Sequence, residues 1–360
     1  MYAAAGTLRA VGFDPTRLSV IGNPVPVLDH VLTKPVGLAD FSVSQTGSLV
    51  YASGELQAAG VRLAWVDRQG HEESIAAPAR AYVQPRVSPD GQRVALDTRD
   101  QQLDIWLWDF RRAILTNLTT HPSQDFYPVW SPDGQRIAFA SQRAGTFNLF
   151  WQPADGTGAA ERLTTSSNVQ YPYAFTPDGK SLLLRETDPK TASDVSIVSL
   201  DGDRRVRPLL HTPFSESNAE LSADGRWIAY QSNESGQDEI HVRPFPGVDA
   251  GHWQVSTEGG SRPAWARNGR ELFYVDGRGR LIGVPVQPGP TFTTANSSVV
   301  LESAGLGGIT PGRHYDVSLD GRRFLVIRPP RPTETRTPAT ELNIVLNWGE
   351  ELKRLAPLKR

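Results

Sequence analysis

Short apolar runs, each broken by a polar turn, recur along this chain from end to end. One stretch shows the grammar. Tyr127-Pro128-Val129-Trp130 is followed by the turn Ser131-Pro132-Asp133-Gly134 and then by Ile137-Ala138-Phe139-Ala140. Past Arg143-Ala144-Gly145 come Asn148-Leu149-Phe150-Trp151, the turn Asp155-Gly156, and Glu161-Arg162-Leu163-Thr164. Runs this short, alternating with period two and bounded by Gly, Pro and Asp, predict β-strands rather than helices. Asp104-Ile105-Trp106-Leu107-Trp108 and Glu239-Ile240-His241-Val242 fall at third-strand positions; Leu115–Thr119 and Trp253-Gln254-Val255-Ser256 fall at fourth-strand positions.

The turn itself recurs. Ser44-Gln45-Thr46-Gly47, Ser88-Pro89-Asp90-Gly91, Ser131-Pro132-Asp133-Gly134, Thr176-Pro177-Asp178-Gly179, Ser222-Ala223-Asp224-Gly225, Ala266-Arg267-Asn268-Gly269 and Ser318-Leu319-Asp320-Gly321 are spaced by 44, 43, 45, 46, 44 and 52 residues. Proline at the second position presets φ, and glycine at the fourth takes the left-handed conformation that closes the hairpin. A period in the forties built from short strands is the signature of a β-propeller with one four-stranded blade per repeat. The expected fold is therefore all-β: four-stranded antiparallel blades, seven by the hairpins, with six or eight left open.

The ends predict closure. Residues 6–31, with Thr7–Val11 and Pro24–Leu28, echo residues 279–302 and read as third and fourth strands of a partial blade. Residues 39–328 carry the repeats, 329–341 form a Pro/Thr-rich loop, and 342–360 hold a closing strand and a short helix over 348–355. Joining the N- and C-terminal strands in one blade would leave no exposed sheet edge. Leu8–Val11 and Asn343–Leu346 both claim its third-strand position. The whole of 1–360 reads as a single propeller domain.

Composition adds exclusions. Hydrophobic residues make up 39% and charged residues 21% of the 360, with 32 Gly and 28 Pro, as short strands and tight turns require. Net charge is −2, which gives no electrostatic case for nucleic acid. There is no cysteine, hence no disulfide or thiolate metal site. No apolar run reaches the length of a membrane span, and Met1–Gly6 lacks the basic start and apolar core of a signal peptide.

Catalytic signatures are missing from the sequence. It holds no Gly-x-Ser-x-Gly elbow and no phosphate-binding Gly-x-x-x-x-Gly-Lys pattern; Gly277-Arg278-Gly279 and Gly305-Leu306-Gly307-Gly308 read as turns. The seven histidines are scattered without metal-ligand spacing, and the repeated aspartates are explained by their hairpins. No cofactor and no metal are expected. Strand parity offers a candidate surface. The residue before each turn is apolar: Val43, Val87, Trp130, Phe175, Leu221, Trp265 and Val317. Residues two and four before should then face the central channel. The fourth-before set is Asp40, Gln84, Tyr127, Pro172, Asn218, Arg262 and His314; the second-before set includes Arg86, Glu220 and Asp316. Such a polar ring suits a ligand or peptide at a channel mouth. It would equally serve to solvate a water-filled channel.

The Ser-Pro-Asp-Gly hairpins, preceded by Pro-x-Trp and followed by Ile-Ala-Phe, resemble the TolB-type, WD40-like (PD40) repeats of bacterial propellers. Leu63–Gly70, Tyr230–Gly236 and Asn343–Trp348 with Glu350-Glu351-Leu352 are further similar to the C-terminal propeller of bacterial membrane-bound serine/threonine kinases. No His-Arg-Asp, Asp-Phe-Gly or Gly-rich nucleotide loop is present, so no catalytic residue carries over. The resemblance implies an extracytoplasmic module that binds a protein, a peptide or a small envelope ligand without catalysis, and a monomer is expected. An enzyme is the other reading, with Asp40, Glu220, Asp316, His314 and Arg262 as its candidate groups, as is a propeller detached from a peptidase.

Overall fold

The turns are held by hydrogen bonds that their own side chains supply. The computed structural model describes residues 1–4, 7–29, 31–32, 39–53, 60–100, 103–188, 192–302, 312–329 and 341–356. In it Ser88 Oγ donates to Asp90 Oδ1 at 2.5 Å and accepts the backbone N–H of Arg93 at 2.9 Å. Asp90 Oδ1 also accepts Gln92 N–H at 3.0 Å, and Gly91, at φ +70°, donates its N–H to Ser88 O. Ser131 with Asp133, Thr176 with Asp178, Ser222 with Asp224, and Ser318 with Asp320 repeat the hydroxyl-to-carboxylate bond at 2.6 Å. Short oxygen-bearing side chains at the first and third turn positions replace the backbone partners that a tight reversal leaves unbonded.

The described chain divides into two compact units, Val61–Pro329 and Met1–Gly60 with Pro330–Arg360. Six of the seven hairpins lie in the first unit and Ser44–Gly47 in the second. The Val61–Pro329 unit is a β-propeller. Its successive antiparallel sheets run from Tyr82–Val87 to Ile114–Asn117, Asp125–Trp130 to Glu161–Arg162, Val169–Phe175 to Val206–Leu210, Glu216–Leu221 to Trp253–Gln254, and Gly260–Trp265 to Ser298–Leu301. A further sheet combines Tyr315–Val317 and Arg323–Arg328 with Arg62–Asp67 and Glu72–Ser74.

That last sheet corrects the expected closure. The strands completing the Ser318 hairpin are Arg62–Asp67 and Glu72–Ser74, with Phe324 opposite Val66 and Val326 opposite Ala64, rather than those in residues 6–31. Burial explains the choice. Leu63, Ala64, Phe324, Leu325 and Val326 are fully buried, so Arg62–Asp67 presents apolar side chains on both faces, as an inner strand must. Ser19–Leu28 is exposed along most of its length.

Adjacent blades lock together through the residues next to the turns. Trp130 Nε1 donates to Arg86 O of the preceding blade at 2.8 Å, and Trp265 Nε1 does the same to Glu220 O at 3.2 Å. Their rings join cores shared between neighbouring sheets. Gly134 abuts Pro89, Gly179 abuts Pro132, Gly225 abuts Pro177, and Gly91 abuts Leu319. These four turn glycines thus rest on the second residue of a neighbouring turn.

The other unit holds two three-stranded sheets. One is Tyr2–Ala4, Thr7–Asp14 and Ser19–Leu28; the other pairs Glu341–Val345 with Leu49–Ser53, which pairs Phe41–Val43. The contested third-strand place beside the Ser44 hairpin therefore goes to Glu341–Val345, while Leu8–Val11 lies in a separate sheet. The helix expected over 348–355 is present as Trp348–Leu355, its Trp348 buried with Leu8, Val31 and Leu49. The glycines at 305–308 and the expected loop, apart from Pro329 and Glu341, lie outside the described residues. Among the described residues no helix is long and apolar enough to cross a membrane.

Candidate functional site

The first strand of the blades is not a regular strand. Gln84, Tyr127, Asn218 and Arg262 have positive φ, at 53°, 60°, 52° and 57°, and the pairing to the second strand shifts around each of them. Such a bulge inserts one residue, bends the strand and re-aims its side chains. Non-glycine residues rarely adopt this conformation; here it recurs four residues before the turn in four blades. The bulge changes the parity argument. Residues two and four before the turn do not share one surface but line two cavities.

The first cavity, of about 250 Å³, takes the fourth-before residues Tyr127, Asn218 and Arg262 together with Tyr171, Tyr173 and Arg185. Tyr127 and Tyr171 rings meet at 4.6 Å, and the Arg185 guanidinium lies 4.7 Å from the centre of the Tyr171 ring. Arg262 Nε donates to Gly312 O at 2.7 Å, and Tyr315 Oη donates to Arg262 O at 2.9 Å. Burial pushes the three phenols up and keeps them neutral, and it pulls the Arg262 guanidinium down. This is an aromatic pocket carrying two cationic forks, suited to a planar or carboxylate-bearing group.

The second cavity, of about 300 Å³, lies at the turn end and takes Arg86, Glu220 and Asp316 with Arg267 and Arg313, rimmed by turn residues such as Pro89 and Pro132. Arg313 bridges both carboxylates, Glu220 at 2.5 Å and Asp316 at 2.9 Å. Asp316 Oδ2 also accepts Val87 N–H at 2.6 Å. Burial opposes the Arg313 charge, yet Glu220 and Asp316 hold it above the ordinary guanidinium range. Burial and the facing Arg313 pull Arg86 down to about 10, which leaves it charged at neutral pH.

Of the residues singled out in the sequence, Tyr127, Asn218 and Arg262 come together in one cavity and Arg86, Glu220 and Asp316 in the other. Gln84 is fully buried, its Oε1 3.4 Å from Arg86 Nη2. His314 is buried and lines neither cavity. Asp40 belongs to the other unit, where its backbone O accepts Ala52 N–H. Sequence reasoning missed Tyr171, Tyr173, Arg185, Arg267 and Arg313. Tyr171 and Arg313 stand five residues before their turns and Tyr173 three before, positions that a one-residue bulge makes visible.

Away from both cavities, Glu234, His241 and His252 converge on the sheet from Glu216–Leu221 to Trp253–Gln254. Their spacing of seven and eleven residues in sequence gave no sign of it, because a hairpin turn and a returning loop bring them together.

The comparisons agree with the repeat and the fold. The TolB beta propeller domain matches residues 38–206. Over those residues the chain is similar to TolB-type β-propellers. An uncharacterized protein of Agrobacterium fabrum is 27% identical over 236 residues, 64% of this chain and 78% of that one. The Tol-Pal system protein TolB of Helicobacter pylori is 26% identical over 162 residues, 44% of this chain but 38% of its own length. The matched part of this chain therefore spans well under half of that protein. A solved candidate TolB from Agrobacterium tumefaciens superposes with a TM-score of 0.60, covering 75% of this chain and 98% of its own, at 17% identity. At that identity the likeness is one of fold.

Proposed function

We propose that this TolB-type propeller is a non-catalytic binding module whose first cavity receives a segment of a partner protein. The observation that carries the reading is the Tyr127, Tyr171 and Tyr173 cluster with Arg185 and Arg262 beside it. Aromatic faces and guanidinium forks are the side chains that anchor protein interfaces most strongly. A segment presenting an aromatic or apolar side chain next to a carboxylate, from Asp, Glu or a chain terminus, complements both. The TolB name of its relatives, members of a Tol-Pal system, supports a protein partner over a small metabolite.

Catalysis finds little support. Glu220 and Asp316, the carboxylates that share a cavity, are both tied to Arg313, which leaves neither free as a base. His314 is buried outside both cavities.

The test is capture from a bacterial envelope fraction by the full chain, beside Tyr171→Ala with Arg185→Glu and, separately, Arg267→Glu at the turn end. A partner held by the wild type and by Arg267→Glu but lost by the double variant supports the reading. Equal capture by all three, or loss in Arg267→Glu alone, overturns it.

A further inference from the structure

The Glu234, His241 and His252 cluster belongs to neither cavity and plays no part in the binding reading. His241 Nδ1 lies 2.9 Å from His252 Nε2, and Glu234 Oε1 lies 3.1 Å from each of them. The three donor atoms form a nearly equilateral triangle. Hydrogen bonding does not account for it. A carboxylate oxygen only accepts, and a ring N–H points one way in its plane. If both rings donate to Glu234, two N–H groups face each other across the 2.9 Å edge. If one ring donates to the other, the accepting nitrogen turns a lone pair toward the carboxylate. Every assignment of protons leaves one edge of the triangle with like facing like.

We propose that Glu234, His241 and His252 bind a divalent first-row transition metal ion. A single cation facing all three atoms removes the conflict, because each then presents a lone pair to it. Bond lengths of about 2.0–2.1 Å to imidazole nitrogen and carboxylate oxygen place the ion ~1 Å out of the donor plane. Separations near 3 Å are those of three adjacent corners of an octahedron at such bond lengths. Two imidazoles and one carboxylate on one face, with the remaining positions open, is the donor set of ions such as Fe²⁺, Co²⁺, Ni²⁺ and Zn²⁺, not of Ca²⁺ or Mg²⁺. The exposure pattern fits an ion reached from solvent. His241 is 1% exposed, while the Glu234 and His252 side chains are 22% and 36% exposed.

The surroundings set the strength of the site. Tyr230 Oη lies 3.4 Å from His252 Nε2 and accepts Arg243 Nε–H at 2.8 Å, so that cation is engaged beside the cluster. His241 Nε2 is buried and has no hydrogen-bond partner among the described residues. Metal-bound imidazoles normally donate this second N–H, and losing such a partner weakens binding by about 10–100-fold. The expected affinity is accordingly micromolar. Of the three, Glu234 lies on the turn between strands Trp227–Ser232 and Glu239–Pro244.

The experiment is titration of the untagged full chain with Co²⁺ and with Zn²⁺ by calorimetry, with thermal unfolding followed in parallel. One ion per chain is expected, with a rise in Tm. His252→Ala and Glu234→Gln, both at partly exposed positions, should each weaken binding more than about tenfold while the metal-free Tm stays near that of the wild type. His241→Ala is set aside because its burial threatens folding. No binding by the wild type at millimolar ion overturns the proposal. So does equal binding by both variants, which would mean that the ion sits elsewhere.

Discussion

Arg313 Nη1 lies 2.5 Å from Glu220 Oε2, joining blades 93 residues apart in sequence. Its other arm holds Asp316 Oδ1 at 2.9 Å. Removing one partner of a buried ionic group strands the others, at a cost of about 3–5 kcal/mol. Arg313→Met should therefore destabilise the propeller by about 3 kcal/mol in urea unfolding. Adding Glu220→Gln should recover at least about 1 kcal/mol, since one stranded charge is gone. A loss below about 1 kcal/mol in the single variant would show that water already screens the cluster.

The turn glycines separate two costs. Gly225 and Gly269 have nearly the same φ, +68° and +69°, but a Cβ at Gly225 meets Pro177 Cγ at 3.2 Å while one at Gly269 meets nothing within 4 Å. Left-handed backbone costs a non-glycine residue roughly 1–2 kcal/mol. Gly269→Ala should lose about that much, and Gly225→Ala should lose more. Gly247→Ala, with open space and no positive φ, should be close to neutral. Equal losses at 225 and 269 would mean that adjacent turns do not bear on one another.

Repetition made the architecture legible. Seven turns with a common glycine gave the blade period, and the strands followed from their alternation. The register of the first strand was not legible, because a bulge changes which face a residue presents without changing residue type. Gln84, Tyr127 and Arg262 each precede a proline, the nearest thing to a sequence mark of it. The partners of Arg62–Asp67 were hidden for another reason: pairing with Arg323–Arg328 joins segments some 260 residues apart. The Glu234 cluster was invisible because no local spacing records a contact made by folding the hairpin back.

Acid should loosen the turns together. Hydroxyl bonds from Ser131, Thr176 and Ser318, followed by backbone N–H bonds, hold Asp133, Asp178 and Asp320 below the ordinary carboxylate value. At Asp90 and Asp224 burial pushes the other way, and the Ser88 and Ser222 hydroxyls with backbone and arginine partners outweigh it. A folded pKa below the unfolded one gives stability that is complete above the unfolded value and lost as pH falls through the folded one. The urea midpoint should hold from these groups down to about pH 4 and drop below it. In Asp133→Asn the drop should be shallower. An identical acid limb in the variant would assign the loss to other carboxylates.

Gly312 ties two blades at the first cavity. Its O accepts Arg262 Nε–H at 2.7 Å, its φ is +98°, and a Cβ there would lie 2.1 Å from Gln84 Nε2. Gln84 is fully buried, so its amide has no open space into which to swing. Gly312→Ala combines left-handed strain with overpacking and should cost about 2 kcal/mol. Gln84→Ala in the same chain opens the space that the new methyl needs. The double variant should then be more stable than the sum of the two single losses predicts, by more than the roughly 0.5 kcal/mol scatter of independent sites. Strict additivity would mean that the backbone strain at Gly312, rather than its contact with Gln84, is what demands glycine there.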